Sequence, residues 1–150
     1  MNLKFAFAVD KNGNFQDDHF GEADKYLIYE EIEGGLVLIS EEVNSHKNDD
    51  ESHKHGLKKK GDALSSMLID RQGNVLVAKQ FGRNIKIVSK HFIPVLISSD
   101  NPKEATETLG KYIYWLRDEW KKGKDQFNLF TMKSGILKSA VNEEINPEQS

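Results

Sequence analysis

With five histidines and no cysteine among its 150 residues, the chain leaves imidazole as its best transition-metal ligand. Disulfides, thiolate zinc sites, cysteine nucleophiles and cysteine-ligated iron–sulfur clusters are excluded within this sequence. Imidazole is a borderline donor suited to zinc, copper, iron or nickel. His53-Lys54-His55 places two imidazoles on a chain that can bend both toward one ion, and His46 is close by. The alternative for these three is plain solubility in a polar loop, since ordering a loop subtracts from any binding energy. His19 is different. It follows a turn and precedes Phe20-Gly21, where an aromatic ring can anchor the backbone and a glycine lets a ligand come close. Its alternative is a histidine satisfied by a backbone hydrogen bond at a loop corner.

Carboxylates and lysines offer other chemistry. Asp10, Asn12 and Asn14 alternate like the start of a calcium loop. The match fails, because Phe15 stands where that loop needs glycine and Gly21 where it needs a bidentate carboxylate. Asp10 also closes the first strand, where a ribonuclease H-like nuclease keeps its first metal-binding aspartate. Two-metal chemistry needs several carboxylates around ions about 4 Å apart. Glu30, Glu31 and Asp70 are available, but their spacing does not bring them together, so a turn role suits Asp10 better. Lys54, Lys58, Lys59 and Lys60 crowd the histidine loop beside Asp49, Asp50 and Glu51; they form a solvated face or favour an anionic ligand. Lys+Arg total 21 against 24 Asp+Glu, a net charge of −3, so no global basic field draws nucleic acid or acidic membrane.

These residues must be positioned by regular elements. Leu3 to Val9 is apolar on both pleat faces, as in a strand covered above and below. Asn12-Gly13 supplies a turn. Tyr26 to Ile32 and Leu36 to Val43 flank Glu33-Gly34-Gly35, an antiparallel hairpin signal. Residues 44–60 read as a polar surface loop, followed by a helix bearing Leu57, Leu64, Met67 and Leu68. Asn74 to Lys79 and Pro94 to Ile97 read as buried strands around a short helix with Phe81, Ile85, Val88 and Phe92, near whose end His91 packs. Asn101, Pro102 and Glu104 open a third helix striped by Ala105, Leu109, Tyr112, Ile113, Leu116 and Trp120, ending near Gly123. Tyr112, Tyr114, Trp115 and Trp120 suit core packing or a dimer surface. The segments 127–130 and 135–137 can add a strand or hairpin. Residues 142–150 read as a disordered acidic tail. The order predicts an α/β fold with a five-stranded mixed sheet, helices on both faces and right-handed crossovers. No apolar run nears the roughly 20 residues of a spanning helix, nor is the first one long enough for a signal peptide, so the expected address is the cytoplasm.

Asp10, then His19-Phe20-Gly21-Glu22-Ala23, then Tyr26-Leu27-Ile28-Tyr29-Glu30 resemble the dinitrogenase iron-molybdenum cofactor biosynthesis family, of the NifX and NifB C-terminal-domain type. The family continues with a hairpin, an asparagine and a histidine- and glycine-rich loop, where Asn44, His46, His53, His55 and Gly56 fall. The resemblance spans Met1 to Ser99. It implies a ribonuclease H-like fold without nuclease use, in a protein that binds iron- and molybdenum-containing clusters or their precursors and passes them on. Carried over by position, His19 would touch cluster metal, helped by His46, His53 and His55. Phe20, Gly21, Lys54 and Gly56 accompany them as cofactor-binding candidates, with imidazole and lysine holding a preformed anionic cluster. The sequence departs from the family at Gln80-Phe81-Gly82, a reduced glycine turn, and at Asp18, where serine is common. On this reading residues 1–123 form a cofactor-binding domain and 124–150 an extension that is partly disordered and can serve oligomerisation. The chain would be no enzyme, and its partners would be a metal–sulfur cofactor, a donor or acceptor protein and a second copy in a homodimer. The alternatives are a metal-dependent phosphodiesterase using Asp10, or an interaction module built on the long helix and C-terminal segment.

Overall fold

Lys4–Val9 forms the first strand, β1, with large residues on one face and small ones on the other. Phe5, Phe7 and Val9 point one way and Ala6 and Ala8 the other, and all five are at most 3% exposed. The computed structural model describes residues 2–44, 74–82, 85–122, 125–133 and 135–141. Within them, β2 (Lys25–Ile32) and β3 (Gly35–Val43) make the expected hairpin. Glu33 (φ 52°) and Gly34 (φ 84°) turn it, both left-handed, as a tight hairpin of this twist requires. Then follow β4 (Val75–Ala78), helix α1 (Ile85–Val88), β5 (Ile93–Ile97), α2 (Pro102–Lys111), α3 (Ile113–Lys121), β6 (Leu129–Met132) and β7 (Ile136–Ser139).

All seven strands among the described residues join one sheet in the order β3-β2-β1-β4-β5-β6-β7. β1 pairs antiparallel with β2 and parallel with β4, and β4, β5 and β6 continue in parallel. The sheet therefore has two more strands than the five predicted. The extra pair is the hairpin at 129–139, whose Phe130 (0% exposed) and Met132 (1%) extend the core past β5. The described part of the 124–150 extension thus belongs to the same sheet.

Helices cover both faces. Ala105, Leu109, Ile113 and Leu116 from α2 and α3 pack on Phe5, Phe7, Val75 and Val77. Val88 and Phe92 from the α1 region pack with Phe20, Phe81 and Tyr26 over Ala6, Ala8 and Ala78, where short side chains admit them. The β5-to-β6 connection lies beyond the five predicted strands; it steps in the same direction as the β4-to-β5 crossover but over the opposite face, so the two have opposite hands. One expectation changes here: the third helix is two helices, broken where Tyr112 leaves helical geometry (φ −110°, ψ 24°), just after helix-weakening Gly110. The apolar stripe survives the break. Asn101 caps α2 as expected, its side chain accepting from the Lys103 amide at 2.8 Å.

Two buried carboxylates tie distant segments together. Glu31 (1% exposed) is paired with Arg117 through both carboxylate oxygens. Glu119 (0%) accepts from the Asn128 amide at 2.8 Å and from its side chain. Trp120 stacks on Phe127, with centroids 5.2 Å apart. No described helix is long and apolar enough to cross a membrane. The predicted helix bearing Leu57, Leu64, Met67 and Leu68 lies outside the described residues.

Candidate functional site

β1 and β4 lie side by side and point the same way, so the segments leaving their carboxyl ends meet. From β1 the chain departs toward β2, and from β4 toward β5 on the other side. In open α/β sheets, divergence of this kind opens a crevice at the strand ends where ligands bind. The residues leaving β1 carry His19, and those leaving β4 carry Gln80, Phe81 and Gly82.

Asp10 begins the loop. Its carboxylate accepts the Asn12 and Asn14 amides at 2.8 and 3.1 Å, and its carbonyl accepts from Gly13 (φ 86°). That is the turn role preferred from sequence. Phe15 folds back beside Val9 and packs on Phe7, with ring centroids 5.2 Å apart. Gln80 then clamps the descending chain. Its side chain donates to Asp17 at 2.7 Å and its carbonyl accepts the Phe20 amide at 2.8 Å.

Phe20–Glu22 forms a single 3-10 turn, opened by His19 in extended geometry. Phe20 (2% exposed) is the anchor that the sequence suggests, stacked on Phe81 at 5.7 Å and packed on Tyr26 at 4.8 Å. The Tyr26 hydroxyl donates to the Phe20 carbonyl at 2.9 Å. Burial, with the Glu22 charge adding to it, pushes that hydroxyl well above the ordinary phenol range, so it stays a donor. Asn44, 6% exposed, donates its side-chain amide to the carbonyls of Gly21 at 3.0 Å and Ala23 at 2.9 Å. Asn44→Ala removes both donors from buried carbonyls. The expected result is a loss of about 1–3 kcal/mol of unfolding free energy, read as a lower urea midpoint at unchanged slope.

Held this way, His19 is exposed. Its backbone amide donates to Asp18 at 2.8 Å and its carbonyl accepts from Glu22 at 2.9 Å, while the ring has no hydrogen-bond partner among the described residues. The ring lies against Gly82, where a β-carbon would sit 2.7 Å from Cε1 and 2.8 Å from Nδ1. Gly82 has φ +62°, the left-handed region that glycine adopts at least cost. The sequence reading missed this contact. Gln80-Phe81-Gly82 stood out only as a shortened glycine turn, and only the β1–β4 pairing shows what its glycine serves.

Other candidates are placed elsewhere. His91 is exposed beside Phe92, edge to face. Lys4 pairs with Glu30 and Val9 with Lys25, so Glu30 and Glu31 lie at the opposite end of β1 from Asp10, about 20 Å of strand away. These three carboxylates therefore cannot share a pair of metal ions. Asp70, Lys54, Gly56, His46, His53 and His55 lie outside the described residues. Among the described residues no group of three or more His, Cys, Asp or Glu side chains could hold a metal ion.

A family model described as dinitrogenase iron-molybdenum cofactor matches residues 1–113, a stretch that contains β1 through α2 and the whole His19 crevice. The chain belongs to this family. No curated protein matches it in the corresponding comparison. Membership in the dinitrogenase iron-molybdenum cofactor family associates the chain with that cofactor and gives it, coarsely, a cofactor-handling role. The family's match ends at the first residue of α3, so the Glu31–Arg117 pair and the β6–β7 hairpin join the matched region to residues beyond it.

Proposed function

We propose that the chain carries an iron-molybdenum-type or other metal–sulfur cofactor, or its precursor, as cargo coordinated by His19. The observation that carries this reading is an exposed imidazole without a hydrogen-bond partner among the described residues, seated over Gly82 at the carboxyl ends of β1 and β4. A histidine kept for structure normally spends its ring nitrogens on neighbours. One imidazole is a single ligand, which suits a cluster that already brings its own sulfide bridges better than a bare ion. Phe20 and Gly21 act through the backbone they fix. Asp17, Asp18 and Glu22 flank His19 with negative charge, so attraction for an anionic cluster would come from Lys54, with Gly56 beside it and His46, His53 and His55 as further ligands, all on sequence grounds.

On the same reading the protein performs no catalysis and exchanges its cargo with a donor or acceptor protein, alone or as a homodimer. The order β3-β2-β1-β4-β5 with its antiparallel hairpin supports a ribonuclease H-like sheet. Residues 1–123 would form the cofactor-binding part and the remainder a buttress. The separation of Asp10 from Glu30 and Glu31 speaks against the phosphodiesterase alternative.

The test is anaerobic reconstitution with iron, molybdate and sulfide, followed by metal analysis and the visible absorption spectrum. His19→Ala is expected to lower bound metal by about tenfold or more, since even the outer partners of metal ligands are worth that much. Equal uptake by both proteins removes His19 from the mechanism.

A further inference from the structure

At the opposite end of β1 from His19, about 20 Å of strand away, a groove of roughly 240 Å³ opens between the first residues of the chain and α3. It is lined by Asn2, Leu3, Arg117, Trp120 and Lys121. The three helical residues are spaced i, i+3, i+4, which puts them on one face of α3. Leu3, 1% exposed, forms an apolar floor.

The polar groups are arranged with unequal roles. Glu31, 1% exposed, holds the Arg117 guanidinium by Nε and Nη2. Two of the five guanidinium N–H donors are thus committed, which fixes the plane of the group and leaves three. Glu31 also cancels its charge, so net positive charge in the groove comes from Lys121. That ammonium is exposed and has no ion pair among the described residues. Trp120 is held by its stack on Phe127, the two rings 14° from parallel. A rigid indole, an apolar floor, a fixed fork of donors and one unspent cation converge in a single half-open space.

We propose that this groove is a second binding site, independent of the His19 crevice, for a small planar organic anion. Its carboxylate or phosphate would meet Lys121 and the spare Arg117 donors, while its flat body would lie along Trp120 and Leu3. Charge sign sets the selectivity: a flat cation of the same shape would face Lys121 and be repelled.

The experiment uses the full chain carrying Trp115→Phe, which leaves Trp120 as its single tryptophan. Trp120 fluorescence is titrated with benzoate and, separately, with benzamidine, a cation of the same shape. Benzoate is expected to give a saturable change in roughly the millimolar range, as suits so small a ligand, and benzamidine none. Lys121→Glu, at an exposed position that should not disturb folding, is expected to weaken benzoate by about tenfold or more. His19→Ala should leave the titration unchanged, which separates this site from the cargo site. The proposal fails if benzoate gives no saturable change, if both probes act alike, or if Lys121→Glu binds benzoate as before.

Discussion

Gly82→Ala is expected to remove most of the cargo binding while leaving the protein folded. A β-carbon there would stand 2.7 Å from Cε1 of His19 and 3.0 Å from Nε2, closer than carbon atoms pack. Either the imidazole swings off its seat or residues 80–82 shift away from it. The second route is resisted by Gln80, which holds Asp17 and the Phe20 amide. The ring should therefore move, and bound metal after reconstitution should fall toward the level of His19→Ala. Stability should drop by about 1–2 kcal/mol for the left-handed backbone alone, with the clash added. A double-mutant cycle separates the two contributions. Removing the ring relieves the clash but not the backbone strain, so Gly82→Ala should cost less in a His19→Ala background, with a coupling of about 0.5–3 kcal/mol. Additive stabilities would mean that the ring does not rest on Gly82. Unchanged metal uptake by Gly82→Ala would mean that the seat is not the binding position.

The importance of Gly82 was not legible in the sequence, and the reason is physical. Its partner lies 63 positions earlier, and only the parallel pairing of β1 with β4 brings the two loops together. Local signals cannot encode such a contact. What they do encode is local: the alternation of β1, the Glu33-Gly34-Gly35 turn, the Asn101-Pro102 helix start and Phe20 as an anchor all depend on residues within a few positions. Glu31 and Glu119 are a second case of long-range control. A carboxylate favours the surface by default, and both are buried here, Glu31 because Arg117 reaches it from 86 positions away and Glu119 because the Asn128 amides close over it. The break at Tyr112 leaves no mark in the sequence pattern, because the apolar stripe runs on through it. The β6–β7 hairpin was half legible. Four-residue strands give too few alternations to distinguish pairing from a loop with scattered apolar residues.

The second large effect concerns that hairpin. Phe130→Ala is expected to cost about 3–5 kcal/mol, a large share of the roughly 5–15 kcal/mol that holds a domain of this size folded. Phe130 is 0% exposed, pairs with Val95 of β5 and belongs to the same core as Phe5, Phe7 and Leu116. Collapse into the space it leaves is resisted, because the chain that enters the hairpin is fixed at several points. Ser89 accepts from the Gln126 side chain at 2.8 Å and from the Phe127 amide at 2.7 Å. Glu119 holds Asn128, and Trp120 stacks on Phe127. Leu137→Ala is the matched control. It lies on the same hairpin but is 64% exposed, so its cost should stay within about 0.5 kcal/mol. Urea denaturation of the two variants distinguishes a hairpin integral to the core from an appended one. If Phe130→Ala costs as little as Leu137→Ala, the sheet beyond β5 is an accessory. If it costs the full amount, the matched region ending at residue 113 depends on the strands that follow it, and deleting them would damage the His19 crevice through loss of the fold rather than loss of any ligand.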